Sequence, residues 1–264
     1  MFLNSIASFD STVFVLSLLI FTVAILYSSV GHGGASGYLA ILSFFVFSPD
    51  EMASIALVLN LCVASLAFIT FAQKKYFCWK FTWPFILFSL PMAFLGGLLT
   101  LSPVLYYRIL FVVLLFSAYK VFFLKVNQSE GDGIQKNEYS KPAASLPIRL
   151  FWGGLIGFFS GIIGIGGGIF LSPLIVLNRW ATAKQAATVS ALFIMINASA
   201  GLIGRFARNA VVLESLWPLL IAGILGGLLG SNLGAQKYSP KMLRQVLGFV
   251  LFAAAVKLLL FSYR

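Results

Sequence analysis

Two glycine clusters constrain this chain more than any other feature. Gly31-His32-Gly33-Gly34-Ala35-Ser36-Gly37 and Gly164-Ile165-Gly166-Gly167-Gly168 each cut an apolar stretch that is otherwise continuous. Glycine at that density breaks a helix and frees backbone N–H and C=O groups. In lipid such groups must find partners inside the protein, so an opened backbone is tolerated only where it is buried in protein or lines a polar cavity.

The chain does belong in lipid. Of its 264 residues 60% are hydrophobic and 9% charged, and its mean hydropathy is +1.00. A soluble domain carries about 25% charged residues. Apolar runs of about 20 residues, each long enough to span a bilayer, recur from end to end. The net charge of +11 resides mostly in Lys and Arg at the ends of those runs. There it sets topology and meets anionic headgroups of membrane lipid, so nucleic acid is not an expected partner. Cys62 and Cys78 suggest neither a disulfide framework nor a metal site. A single histidine argues against structural zinc, and no cofactor is implied. Residues 1–10 lack a basic n-region, so the run from Val13 reads as a first membrane helix rather than a cleaved signal.

The expected fold is all-α and polytopic, with about eight to ten membrane segments, the glycine-broken short helices included. Residues 1–124 form a first repeat, 125–147 a polar connecting loop and 148–264 a second repeat. The first contains Thr12–Val30, the break, a short run Tyr38–Phe47, a polar stop at Pro49-Asp50-Glu51, then Met52–Ala72, Phe81–Leu101 and Val104–Leu124. The second repeats that order with Leu150–Ile163, the break, Ile169–Leu177, Ala186–Ile203, Leu216–Leu233 and Met242–Phe261. Trp83-Pro84 matches Trp217-Pro218, and Leu95-Gly96-Gly97-Leu98-Leu99 matches Leu225-Gly226-Gly227-Leu228-Leu229. Ser102-Pro103 matches Ser239-Pro240, and Lys120 and Lys257 lie equally far beyond those prolines. Placing Lys74, Lys75, Lys80 and the central loop in the cytoplasm leaves Asp50 and Glu51 outside. If each broken pair of runs is a hairpin, Arg179, Lys184, Lys237, Lys241 and Arg244 also fall inside, and the repeat is inverted. If each pair is one crossing, they fall outside. The charge count favours the hairpin.

Val30-Gly31-x-Gly33-Gly34 and Ile163-Gly164-x-Gly166-Gly167-Gly168, the latter followed by Ser172-Pro173-Leu174, resemble the duplicated signature of the sulfite exporter TauE/SafE family. The second copy is close. In the first, Ala35 replaces a glycine and Ala40 stands where the second half has Pro173. The resemblance implies a multi-pass permease of the cytoplasmic (inner) membrane for sulfite, sulfonates or other small, often sulfur-containing anions.

The residues support that class on their own chemistry. Two broken helices, one per half, are the sequence pointer to a transporter's binding site. A helix beginning after a break has N–H groups without intrahelical partners and a positive partial charge. Gly31, Gly33, Gly34, Gly164, Gly166, Gly167 and Gly168 would let an oxyanion approach such groups, with Ser36 as a hydroxyl donor. The plainer alternative is that these glycines permit close helix packing. His32, the chain's one histidine, either carries a coupling proton and meets the anion, or is a polar residue bonded at a helix end. Ile165 stands in its place in the second half. Asn60 and Asn197 lie in long apolar runs. Asn197, near Thr188, Ser190 and Ser199, is a candidate pathway residue or an interhelical bond. Arg205 and Arg208 read as snorkelling topology residues, the alternative being that they draw anions toward the mouth of the path. No Asp or Glu lies in mid-run, which suits an anion path and leaves a carboxylate proton relay unsupported. The reading is an anion permease working by alternating access, possible coupling ion a proton, with homo-oligomers compatible. An anion channel and a permease for a non-sulfur carboxylate stay open as alternatives. An intramembrane enzyme would need a nucleophile with its base, or metal ligands, and neither set is present.

Overall fold

Two long helices form the centre of the protein, and both start with the same local chemistry. A computed structural model describes residues 11–45, 47–123, 145–210, 217–236 and 251–258. The helices are α1 (Ser11–Ser28), α2 (Ala35–Leu42), α3 (Pro49–Gln73), α4 (Trp79–Leu98), α5 (Pro103–Phe123), α6 (Leu146–Ile163), α7 (Gly168–Leu177), α8 (Ala183–Ala207) and α9 (Trp217–Gln236). A further helical segment, α10, occupies 251–258. Among the described residues six helices (α1, α3, α4, α6, α8 and α9) are long and apolar enough to cross a membrane. The protein is an all-helical, multi-pass membrane protein.

The central pair, α3 and α8, are each 25 residues long and open with a capping box. The Ser48 backbone N–H donates to Glu51 Oε2 (2.6 Å) and the Glu51 N–H donates back to Ser48 Oγ (3.3 Å). Thr182 and Gln185 make the same exchange at 2.9 and 3.4 Å. Each box satisfies N–H groups that a helix start otherwise leaves open. Pro49-Asp50-Glu51 is therefore not a stop between helices. Pro49 occupies the first helical position, where its missing N–H costs nothing, and the two carboxylates sit at the positive end of the helix. Pro84 inside α4 cannot bond the Lys80 carbonyl, and Arg149 Nη1 donates there instead, at 3.4 Å.

Close packing accounts for two rows of glycines among the described residues. On α6, a Cβ at Gly153, Gly157 or Gly161 would lie 2.2, 2.5 or 2.0 Å from the carbonyl oxygens of Phe85, Ser89 and Ala93 on α4. On α9, Gly226, Gly230 and Gly234 meet the carbonyls of Phe21, Ile25 and Ser29 on α1 in the same way. Residue numbers rise together along each pair, so α4 runs parallel to α6 and α1 parallel to α9. Four-residue spacing of small residues lets two helix backbones touch, which is how membrane helices gain contact energy without a hydrophobic driving force.

Helices α3 and α8 run antiparallel. At one end Ser54 Oγ donates to the Ala210 carbonyl (3.2 Å), and at the other Lys184 Nζ donates to the Tyr76 hydroxyl (3.5 Å). The first end carries Asp50 and Glu51, and the second carries Lys74, Lys75, Lys80, Arg149 and Lys184. Each glycine break is the tip of a helical hairpin. In α1–α2 a Cβ on Gly37 would press on Val23 and Tyr27, and in α6–α7 one on Gly167 would press on Ile156. The α1–α2 hairpin opens toward the acidic end and α6–α7 toward the basic end.

Arg205 and Arg208 do not snorkel. Arg205 is 1% exposed. Its Nη1 pairs with Asp50 Oδ1 at 2.9 Å, and Nη2 donates to the carbonyls of Gly161 (3.3 Å) and Ile162 (2.7 Å) at the end of α6. Arg208 Nη2 pairs with Asp50 Oδ1 at 2.5 Å and its Nε donates to the Gly97 carbonyl at 2.9 Å. The two guanidinium groups thus hold the ends of α4 and α6 to the start of α3. Most of the expected loop 125–147 lies outside the described residues, and α6 already begins at Leu146 within it. Ser239-Pro240, Lys237, Lys241 and Arg244 also lie outside the described residues.

The α4–α6 contact yields a direct test. Gly161→Ala should destabilise the protein by about 1–3 kcal/mol through overpacking. Gly154→Ala on the same helix should be tolerated, because its Cβ would meet only ordinary contacts at 3.5 and 3.6 Å. Thermal unfolding of the two variants in detergent checks the contrast.

Candidate functional site

The two hairpin tips are built alike. At the end of α1 the His32 N–H donates to the Tyr27 carbonyl (2.9 Å) and the Gly31 N–H to that of Ser28 (3.0 Å), with Gly31 at φ 75°. At the end of α6 the N–H groups of Gly164 and Ile165 both donate to the Ser160 carbonyl, with Gly164 at φ 89°. These are glycine-terminated helix ends in which a left-handed residue returns N–H groups to the last carbonyls. His32 and Ile165 occupy the same place, just after that glycine. Gly34 (φ 103°) and Gly167 (φ 84°) then open α2 and α7 from left-handed conformations. Side chains other than glycine adopt those angles only with strain.

Asn60 of α3 joins the two tips. Its Oδ1 accepts from the Ala35 N–H at 3.0 Å, the first N–H of α2. Its Nδ2 donates to the Ile165 carbonyl at 2.9 Å, in the other break. A Cβ on Gly33 would lie 2.2 Å from Asn60 Oδ1 and one on Gly166 would lie 2.7 Å from Nδ2. The breaks also lean crosswise on the central helices, Gly31 on Ala187 of α8 and Gly164 on Ala53 of α3. Each alanine is the fifth residue after the capping residue of its helix.

Between the tips lies a cavity of about 10 Å³, room for a single water. Tyr27, His32, Gly33, Gly34, Ala35 and Ser36 line one side, and Ile165, Ile169 and Ile194 the other. The Tyr27 hydroxyl and Ser36 Oγ are 2.6 Å apart. His32 is buried, with Nδ1 3.0 Å from the Val30 carbonyl. A nitrogen facing a carbonyl acts as the donor, which orients the ring. The larger apolar cleft of about 530 Å³ between α5, α6 and α7 is separate from these groups.

Comparison with known proteins matches the sulfite exporter TauE/SafE family over residues 16–258. The chain belongs to the TauE/SafE family. A protein of Sinorhizobium fredii called probable membrane transporter protein y4hK is 32% identical over 253 residues, 95% of this chain and 99% of that one. A probable membrane transporter protein of Xylella fastidiosa is 34% identical over 121 residues, 46% of this chain and 45% of that one. No solved structure matches. The protein is a membrane transporter of this family.

In this TauE/SafE transporter Gly33 and Gly166 close on the same Asn60 side chain, while Gly31, Gly34, Gly164, Gly167 and Gly168 pack on Ala187, Tyr38, Ala53, Phe193 and Ile194. Both sets of glycines face filled space: a Cβ on any of them would meet these residues at 2.8 Å or less. The polar side chains that line the cavity, Tyr27, His32 and Ser36, come from the first hairpin. Asn197 bonds within its own helix, to the Phe193 carbonyl at 2.9 Å, and its buried Oδ1 has no partner among the described residues.

Sequence reasoning did not single out Asn60 as the side chain that joins the two breaks, although the signal was present. It is a buried amide in an apolar run, as conspicuous as Asn197. The nearby hydroxyls on α8 drew the choice toward Asn197, yet those of Thr188 and Ser199 bond back to their own helix. Tyr27 carried no signal beyond its place one turn before the break.

Asn60→Ala should lower stability by about 1–3 kcal/mol for each buried group left unpaired, the Ala35 N–H and the Ile165 carbonyl. Asn197→Ala should cost less, because its one bond lies within a helix. Melting of the two variants in the same detergent decides it, and equal losses would contradict the bridging role.

Proposed function

We propose that this protein moves a small oxyanion, sulfite or an organosulfonate, across the cytoplasmic membrane by alternating access at the Asn60 bridge. One observation carries the reading: the tips of two oppositely directed hairpins meet on one side chain, beside a cavity lined by Tyr27, His32 and Ser36. Hydroxyl groups and the first N–H groups of α2 are donors suited to an oxyanion. The cavity has room for no more than about one water, and we read this conformation as occluded. A carrier has such a state, and opening on either side would enlarge the site.

The two halves, 1–124 and 148–264, act as inverted repeats that rock about the α3–α8 pair, joined by 125–147. The crosswise contacts of Gly31 with Ala187 and Gly164 with Ala53 support this arrangement. The basic end faces the cytoplasm. No ATP-binding motif is present in the sequence, so a gradient drives the cycle. A proton travels either on His32 or on the substrate as hydrogen sulfite. The protein is not an enzyme in this reading.

Proteoliposomes carrying the purified protein test the proposal. Labelled sulfite uptake should saturate and should be accelerated by sulfite inside, which a channel would not give. Tyr27→Phe and Ser36→Ala remove hydroxyls without adding volume, and each should raise the KM for sulfite by about 5- to 30-fold, one to two kcal/mol for a lost bond to a charged group. Uptake of a carboxylate but no sulfite or sulfonate would replace the substrate class.

His32 has its own test. If it carries the proton, the uptake rate of the parent protein should change between about pH 5.5 and 7.5, around the usual imidazole value. His32→Gln, which cannot titrate, should flatten that dependence. An unchanged profile in His32→Gln would assign the proton to the substrate.

A further inference from the structure

The carboxylate of Asp50 is held where an anion passing the acidic end would meet its strongest partners. Asp50 comes from the first half of the chain, while Arg205 and Arg208 come from the second. Arg205 is buried, and its Nη2 is committed to the carbonyls of Gly161 and Ile162, just before the second break. Its position at the hairpin tip therefore does not depend on Asp50 alone. Its buried Nε has no acceptor among the described residues. One donor of the fork is thus open, while Asp50 occupies Nη1.

Among the described residues no carboxylate–guanidinium pair joins the halves at the basic end. Counted from the capping residues, the places of Asp50, Arg205 and Arg208 are taken there by Lys184, Phe71 and Lys74. The cations there reach neutral acceptors: Lys184 the Tyr76 hydroxyl at 3.5 Å, and Arg149 the Lys80 and Phe81 carbonyls at 3.4 and 3.3 Å. Separating the halves at the acidic end must pull a carboxylate away from a buried guanidinium. A buried charge that loses its partner needs another. Guanidinium forks take carboxylates and other planar or pyramidal oxyanions with the same paired geometry.

We propose that Asp50 is an internal stand-in for the transported oxyanion. When the acidic end opens, sulfite replaces the carboxylate on Arg205 and Arg208, so anion binding and release of the latch become one event. This rests on the anion-carrier reading above and adds to it a second, outer binding station.

The test uses purified full-length protein and labelled sulfite. Asp50→Asn removes the internal competitor, and sulfite should then bind about tenfold more tightly than to the parent protein. Asp50→Asn with Arg205→Gln should lose that gain. Equal affinity in Asp50→Asn and the parent, or a gain that survives Arg205→Gln, overturns the proposal. Should Asp50→Asn fail to fold, the parent protein still decides it. Phenylglyoxal labelling of Arg208, located by mass spectrometry, should be slowed by sulfite, and an unchanged labelling rate overturns the proposal. Sulfite uptake by the parent in proteoliposomes separates the two levels. Uptake without the gain in Asp50→Asn removes the outer station alone, whereas the gain without uptake removes the sulfite-carrier reading and leaves an anion site.

Discussion

An opened helix end inside a bilayer has no water to turn to, and this protein contains two such ends within a side chain's length of each other. Asn60 closes both. It takes the first N–H of α2 and gives to a carbonyl of the opposite break. Leaving either group buried and unpaired costs about 1–3 kcal/mol, in a fold whose helices gain little from the hydrophobic effect. The other open carbonyls find similar partners. Tyr106 donates to that of Ile163 at 3.0 Å, and Arg205 to those of Gly161 and Ile162. The position of α3 follows, since Asn60 reaches both tips only from a central helix. The glycines follow too, because a Cβ at Gly33 or Gly166 would occupy the amide's place.

Most of the architecture was legible because the bilayer restricts a spanning chain to helices, and apolar runs then map onto them. Helix boundaries shifted where polar residues proved to be helical. Asp50 and Glu51 read as a stop because they are charged, yet a capping box makes them a first turn. Gly153, Gly157 and Gly161 were visible as spaced small residues, but which helix they meet depends on tertiary register. Arg205 was misread for a related reason. A cation at the end of an apolar run usually reaches for the interface, and only the fold brings Asp50 within 2.9 Å of it. The glycine breaks themselves were placed correctly, while the polar partner that joins them was not.

Symmetry of backbone and asymmetry of chemistry are separable in this molecule. The two tips share the bond from the residue after the first glycine to the carbonyl five residues back and the left-handed glycines at 31/164 and 34/167, and the two central helices share length and capping. At matching places, however, the first half supplies His32 and Ser36 where the second supplies Ile165 and Ile169. Asn60 likewise stands where α8 has Ile194. His32 and Ser36, with Tyr27, therefore share the lining of one small cavity with Ile165, Ile169 and Ile194. A backbone that can present two equivalent tips thus offers one polar wall, which orients a small ligand in a way that two identical walls would not.

The ends of the molecule show the same division. Asp50, its side chain about 40% exposed, pairs with the buried Arg205 and with Arg208 at the acidic end, and among the described residues no carboxylate–guanidinium pair stands at the basic end. Without Asp50 the buried Arg205 guanidinium would keep only its two carbonyl partners, Gly161 and Ile162. A buried charge in that position needs a further partner. In the proposed carrier cycle, ends that differ in this way would make the two directions of opening unequal in energy. An incoming anion has the charge to take the place of Asp50 on Arg205, which is why the proposed outer station lies at this end.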